Sequence, residues 1–194
     1  MTLPLSGRNA LVLGVERPLG RKAAVALAEA GANVAVVTLS EDTKAEFAAN
    51  STANEFWALG RKGIALTSDG GETAVKEAIA GATVELGPIS ILVWHGPVVP
   101  RETLAGLRSD AAIVVLLGSE SEHDESAALL EWTRALADRG LRANALLASS
   151  REAPQPMLKQ HHAPEPMDIA GSVVYLASDA SAAVEGAMVV ASEG

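Results

Sequence analysis

Short apolar runs alternate along the chain with longer segments of helical spacing. The first apolar run, residues 10–13, has the composition of a strand that is buried on both faces. Gly14 ends this run, and residues 21–30 form a helical pattern that stops at Gly31. A second apolar run covers residues 33–38. Strand, glycine turn, helix and strand together predict a βαβ unit.

The same alternation continues to the carboxyl end. Further strands are predicted over residues 62–67, 89–94, 111–117, 141–147 and 187–191. Further helices are predicted over residues 41–59, 72–86, 101–108, 122–138 and 167–178, and a polar loop over residues 149–166. Pro18 suits the first turn of the first helix, and Ser40 is the predicted N-cap of the second. The pattern predicts one α/β domain over residues 1–194, with about seven parallel strands in a doubly wound sheet of order 3-2-1-4-5-6-7.

Composition narrows the classes of function. The chain has 194 residues, no cysteine and a formal net charge of −9. A nucleic-acid partner is not expected, because the chain offers no basic stripe to neutralise phosphates. No apolar run approaches the roughly 18 residues that span a bilayer, and residues 1–7 do not resemble a signal peptide. A cytoplasmic protein without a membrane partner is therefore the expectation.

Five blocks of sequence then follow one another in a recognisable order. They are the turn at residues 13–20, the segments 60–69 and 91–93, the Arg-Gly-Leu-Arg-Ala-Asn block at 139–144, and one closing block made of residues 166–170, 175–179 and 185–186. This order resembles the short-chain dehydrogenase/reductase family over nearly the whole chain. The resemblance implies a Rossmann-like doubly wound fold and, in the family, oxidoreductases that use NAD(P).

The resemblance also implies where a cofactor would bind. Gly14 and Gly20 match the family's glycine-rich turn, and Asp69 matches its adenine-binding aspartate. Arg17 matches an arginine that binds the 2′-phosphate of NADP in family members, and Thr38 replaces the aspartate that would select NAD. These positions favour NADP(H) as the cofactor, if one binds.

Three residues of the same region argue against tight binding. Pro18 replaces the second glycine of the turn and removes one N–H from the helix N-terminus. Glu16 adds a carboxylate that should repel the pyrophosphate. Trp94 replaces a small amide residue of the family and is expected to place its indole ring against the adenosine ribose. The alternatives of no cofactor and weak NADP(H) binding stay open.

The family's catalytic tyrosine and lysine have no counterpart at the expected helix. In the alignment that the resemblance gives, Glu122 stands at the tyrosine position and Ser126 at the lysine position. The chain's one tyrosine, Tyr175, belongs to the late helix and is expected to pack in the core. Ser119 matches the family's catalytic serine, but a lone hydroxyl is a poor proton donor at neutral pH.

Other polar clusters and tryptophans receive plainer interpretations. His123, His161 and His162 lack the spacing of a metal-binding set, so no metal site is expected. Trp57 and Trp132 lie at helical spacing among apolar neighbours and are expected in the core or in an interface.

A partner surface is predicted at the carboxyl end. The segment between residues 97 and 111 is too short for the long helix through which family members usually pair. Small and apolar residues recur at helical spacing in the last helix, at Ala170, Val173, Val174 and Ala177. Together with an apolar edge strand at 187–191, they predict a dimer built on residues 168–194, with a second copy or with an active relative.

Three functions remain open at this stage. The first is a non-catalytic family member that acts as a structural or regulatory subunit. The second is an NADP-dependent oxidoreductase whose proton donor is Glu122 or His123 beside Ser119. The third is a module that binds a small ligand at the carboxyl ends of the strands.

Overall fold

A computed structural model describes residues 2–118, 123–149 and 169–192, and it contains one parallel sheet of seven strands. The strands are β1 Asn9–Leu13, β2 Asn33–Thr38, β3 Gly63–Thr67, β4 Ile91–Trp94, β5 Ala112–Gly118, β6 Arg142–Ser149 and β7 Met188–Ser192. The helices described are α1 Pro18–Glu29, α2 Thr43–Ala58, α3 Glu72–Leu86, α4 His123–Ala137 and α5 Ala170–Ala177. The strand order is β3-β2-β1-β4-β5-β6-β7, which confirms the predicted sheet.

Two apolar layers cover the two faces of the sheet. One layer joins Val12 and Val93 of the sheet to α1, α2 and α5. The other joins Leu11 and Leu92 to α3 and α4. Because successive strand residues point to opposite faces, every central strand must be apolar on both sides. The continuous apolar runs of the sequence are therefore the signature of this doubly covered sheet.

The predicted cap of the second helix is wrong by two residues. Asp42, rather than Ser40, is the N-cap of α2, and its Oδ1 accepts hydrogen bonds from the amides of Lys44 at 2.8 Å and Ala45 at 2.9 Å. The Ser40 hydroxyl donates to Asp42 Oδ2 at 2.9 Å. The acidic side chain reaches two orphan amides at once, so it fixes the start of the helix.

The connection between β4 and β5 is as short as the sequence predicts. It contains a single 3₁₀ turn, Arg101–Leu104, in place of a long helix. The predicted loop overlaps β6 at Ser149, and its residues 150–166 lie outside the described part of the chain. No helix among the described residues is long and apolar enough to cross a membrane.

Two aromatic side chains lie at the surface rather than in the core. Tyr175 is 44% exposed on α5, so the expectation that it packs in the core is wrong. Trp57 is 71% exposed on α2, whereas Trp132 packs in the layer beneath α4 as expected. Trp57 therefore does not belong to the core.

Candidate active site at the glycine turn

The carboxyl ends of β1, β2 and β4 meet where the strand order reverses. β1 lies between β2 and β4, so the chain leaves it toward one half of the sheet and later returns to the other. In open α/β sheets this topological switch point forms the crevice in which ligands bind. The candidate site is therefore built from the loops that follow these strands.

Gly14 closes β1 in a conformation that favours glycine. Its φ is +78°, and its N–H donates to the carbonyl of Val37 at 2.9 Å. A Cβ at this position would overlap the carbonyl oxygen of His95. The turn thus depends on glycine twice, for its backbone conformation and for its close approach to the end of β4.

Gly20 brings helix α1 close to the same turn. A Cβ on Gly20 would overlap the carbonyl oxygen of Gly14. The third glycine of a dinucleotide-binding turn serves the same close helix–strand packing. The structure thus brings together Gly14 and Gly20, two of the residues that the sequence predicts for the cofactor site.

The N-terminus of α1 points free amides at the crevice. Arg17 is its N-cap and makes no side-chain capping bond, and the first turn holds no acidic residue. The amides of Leu19 and Gly20 find no acceptor in the part of the chain that the structure describes. Pro18 at the first helical position has no N–H to offer and is exposed. Two open amides at the positive end of a helix suit a phosphate group.

Arg17 and His95 both lie next to Gly14 in this turn. The Arg17 side chain is exposed, and the backbone N–H of Arg17 donates to the carbonyl of Gly14 at 3.1 Å. His95 is buried, and its Nδ1 has no hydrogen-bond partner among the described residues. Burial, aided by the positive charge of Arg17, lowers the pKa of His95 to about 4. The imidazole is therefore neutral at physiological pH.

The side chain of Glu16 points in a direction that the sequence does not reveal. Its half-buried side chain turns toward the end of β2, where Oε2 accepts the N–H of Leu39 at 3.2 Å. Leu39 in turn packs so closely on Gly96 that a Cβ there would collide with it. Sequence reasoning missed His95 and Leu39, because neither the buried imidazole nor this contact follows from local pattern.

The expectation for Trp94 is wrong. Its indole is fully buried in the layer of α3 and α4, with its ring centre 5.2 Å from that of Trp132. The indole N–H donates to the carbonyls of Gly96 and Pro97, both at 3.1 Å. The alternation of β4 sends Trp94 to the same side as Leu92, inside the protein, so the ring does not narrow the crevice.

Asp69 has a structural partner of its own. It follows β3 and is exposed, and its Oδ1 accepts the N–H of Gly71 at 2.7 Å just before α3 begins. This bond closes a turn of the kind that aspartate favours. The structure therefore places Asp69 at the outer end of the crevice, beyond β2, and not beside the glycine turn.

The candidate catalytic residues fall mostly outside the described ranges. Ser119 and Glu122 lie in the undescribed segment, and His123 is described only as the first residue of α4. Helix α4 contains neither tyrosine nor lysine, and Ser126 is half-buried within it. Within the described residues, no three His, Asp or Glu side chains are arranged to hold a metal ion.

Comparisons with known proteins agree with the fold and the glycine turn. A family model described as short chain dehydrogenase matches residues 8–112. A 2-dehydro-3-deoxy-D-gluconate 5-dehydrogenase of Dickeya dadantii is 32% identical over 102 residues, which are 52% of this chain and 38% of that enzyme. A short chain dehydrogenase/reductase, astE, of Aspergillus oryzae is 33% identical over 108 residues, which are 55% of this chain and 40% of that protein. The matched segments thus cover about two fifths of these relatives.

A solved structure extends the likeness to the whole fold. A blue fluorescent protein from a metagenomic library, crystallised in complex with NADPH, superposes with a TM-score of 0.75 at 23% identity and covers 98% of each chain. The family match includes β1, the glycine turn, α1 and the strands on either side. The chain belongs to the short-chain dehydrogenase/reductase family.

Proposed function

We propose that this chain binds a nicotinamide adenine dinucleotide at the glycine turn and does not carry out tyrosine-dependent hydride transfer. It would then act as a non-catalytic, structural or regulatory subunit. The observation that carries the proposal is the contrast between two parts of the chain. The turn from Gly14 to Gly20 keeps its close packing, whereas α4 contains neither tyrosine nor lysine.

The turn fits the diphosphate of a dinucleotide. Glycines at 14 and 20 leave space that a Cβ would fill, and the amides of Leu19 and Gly20 have no acceptor within the described residues. These amides, together with the Arg17 guanidinium, would hold the phosphates, and Trp94 leaves the crevice free. The structural neighbour described above was crystallised in complex with NADPH, which supports the same class of ligand.

The tyrosine and lysine that transfer the proton in the family have no counterpart in helix α4. A bound dinucleotide would supply a hydride to a carbonyl carbon, but the oxygen of that carbonyl must also gain a proton. In the family a tyrosine gives this proton with the help of a lysine. The sole tyrosine here lies on α5, exposed, and the family model ends at residue 112, before α4 begins. We therefore expect binding without turnover.

Calorimetric titration with NADH and NADPH tests the binding half of the proposal. We expect micromolar affinity for at least one of the two. Gly20→Ala should abolish binding, because its methyl group would push α1 away from Gly14. Gly171→Ala is the matched control, since a Cβ there meets nothing within 4 Å. Absence of binding to the unmodified protein would refute this half.

Turnover measurements test the other half. A panel of aldehydes, ketones and the corresponding alcohols, incubated with saturating dinucleotide, should give no change in nicotinamide absorbance. Sustained oxidation or reduction would show that another group supplies the proton, and the non-catalytic role would then be wrong.

We also propose that the chain assembles through its carboxyl end, with a second copy or an active relative. Strand β7 lies at the edge of the sheet, and Met188 and Val190 on it are 46% and 52% exposed. Val189 and Ala191 alternate with them and pack inward beneath α5. An apolar edge strand left in water favours pairing with another chain.

Two of the four α5 residues that the sequence suggested for this interface lie in the core. Val173 and Ala177 are fully buried in the core with α1, so Val173→Glu would damage the fold rather than the interface. Met188→Lys with Val190→Lys is the appropriate change and should turn a dimer into a monomer in light scattering. Val84→Lys, at an 82% exposed valine on α3, is the control and should leave the mass unchanged. A monomeric unmodified protein that also recruits no family relative would contradict the proposal.

A further inference from the structure

We infer that Glu16 makes the dinucleotide site select NAD(H) over NADP(H). The inference rests on the dinucleotide binding proposed above and assigns its specificity. Glu16 belongs to the turn after β1, yet its Oε2 accepts the N–H of Leu39 at 3.2 Å. Leu39 is the first residue after β2. The turn thus delivers a carboxylate to the carboxyl end of β2.

The end of β2 is where dinucleotide-binding folds discriminate between the two cofactors. An acidic side chain there accepts hydrogen bonds from the 2′-hydroxyl of the adenosine ribose in NAD-binding proteins. In this chain the corresponding residue is Thr38, which is fully buried and donates its hydroxyl hydrogen to the Ser40 carbonyl at 2.8 Å. Thr38 is therefore not available for the ribose.

Asp42, the N-cap of α2, is also occupied. Asp42 Oδ1 accepts two amides of α2, and its Oδ2 accepts the hydroxyl of Ser40. Glu16 uses one oxygen on Leu39 and has a second oxygen for which no partner is found among the described residues. Glu16 is thus a carboxylate held at the end of β2 that can replace, in space, the acidic residue absent from that strand.

The position of this carboxylate is held from both sides. The amide that it accepts belongs to Leu39, whose side chain packs in the narrow space that glycine leaves at position 96. The backbone of the Glu16 turn is tied to β2 as well, because the Val15 N–H donates to the Val37 carbonyl at 3.2 Å. The carboxylate and the end of β2 therefore form one local unit.

The negative charge of Glu16 then discriminates between NAD and NADP. NADP carries a 2′-phosphate in place of the 2′-hydroxyl, and that phosphate would stand against the Glu16 carboxylate. No ion pair neutralises Glu16 within the described residues, and the group is half-buried, so water screens the repulsion only in part. The exposed Arg17 attracts phosphate more weakly, because solvent and salt screen its charge.

The structure thus points away from the preference that Arg17 and Thr38 suggest in the sequence. A ribose hydroxyl donates a hydrogen bond to a carboxylate, whereas a phosphate can only accept. We expect the unmodified protein to bind NAD(H) about tenfold or more tightly than NADP(H), which is the effect of one adjacent charge that is only partly screened.

The experiment is a set of calorimetric titrations with NADH and NADPH on three proteins. In Glu16→Gln the carboxylate becomes a neutral amide of nearly the same shape. Affinity for NADPH should rise about tenfold while that for NADH falls a few-fold, so that the preference disappears or reverses. Glu29→Gln removes the same charge at the other end of α1, where Glu29 is exposed, and should leave the preference as it is.

The outcomes distinguish this inference from the proposed function. If neither dinucleotide binds the unmodified protein, the binding proposal itself is refuted, and the inference with it. If NADPH binds as tightly as NADH or more tightly, or if Glu16→Gln leaves the ratio unchanged, only the inference is overturned. Should Glu16→Gln fail to fold by circular dichroism, Glu16→Ser takes its place with the same expected loss of preference.

Discussion

Replacing Gly14 by alanine is expected to lower the free energy of unfolding by about 3 to 5 kcal/mol and to abolish dinucleotide binding. Two costs add at this position. The backbone φ of +78° disfavours any residue that has a Cβ, and the new methyl group would overlap the His95 carbonyl oxygen. Backbone at the end of β4 cannot retreat as a flexible side chain would, so the crevice itself must open.

Gly140 is the matched control for this change. Its φ of +79° is nearly the same, but a Cβ there meets nothing within 4 Å. Gly140→Ala should therefore cost only the conformational strain, about 1 to 2 kcal/mol, and leave dinucleotide affinity unchanged. Urea unfolding of the two variants and the unmodified protein measures the difference. Equal losses for both would show that the contact with His95 contributes nothing.

The strands could be predicted closely because each is a run of apolar residues with few alternatives. β2 matches its predicted range at both ends, and the sheet order follows from the alternation of strands and helices. One strand is shorter than predicted, because a residue can be buried beside a strand without pairing in the sheet. Ile89 is fully buried, yet it precedes β4, which begins at Ile91. The sequence alone does not distinguish a buried apolar residue in a tight connection from one in a strand.

The orientation of Trp94 could not be read from the sequence. A strand buried on both faces carries apolar residues at every position, so the pattern does not indicate which layer a given side chain enters. The pairing of β4 with β1 and β5 decides it, together with the carbonyls of Gly96 and Pro97 that accept the indole N–H. The likeness to the family gave the position of the residue but not the direction of its ring.

Glu16 illustrates a second limit of local reasoning. The sequence places its carboxylate near the phosphates, where it would only repel. The structure turns it toward Leu39, which lies 23 residues further along the chain. Such a contact depends on how the glycine turn and β2 are held together by Val37, and no periodicity encodes it. The selectivity that we infer for Glu16 therefore depends on the folded crevice rather than on any single motif.

Lowering the pH from 7.5 to 4.5 is expected to reduce the free energy of unfolding by up to about 3 kcal/mol through His95 alone. The pKa of His95 falls from its ordinary 6.5 to about 4 in the folded protein, first because the side chain is buried and second because Arg17 lies near. Between these two pH values the unfolded chain binds a proton that the native protein does not. Stability is therefore fully present above pH 6.5 and is lost as the pH falls toward 4.

Other resolved pKa shifts in the described residues do not produce the same slope. The pKa values of Asp42 and Asp110 are lowered from an ordinary value of 3.8 by hydrogen bonds, from the Ala45 amide and from Arg108 respectively. Their contributions are lost only as the pH falls below 3.8, outside the measured range. The interval between pH 6.5 and 4.5 therefore reports on buried histidine.

The measurement is urea unfolding at half-unit steps of pH, followed by circular dichroism. His95→Asn, which has no titrating ring, should show a slope reduced by about 1 kcal/mol per pH unit or more between pH 6 and 5. Val93→Ala serves as the control, because it removes buried methyl groups one strand position before Trp94 while keeping the histidine. It should be less stable at every pH by a nearly constant amount, with the slope intact. If His95→Asn keeps the full slope, His95 takes up its proton equally in the folded and unfolded states, and its burial does not govern the acid response.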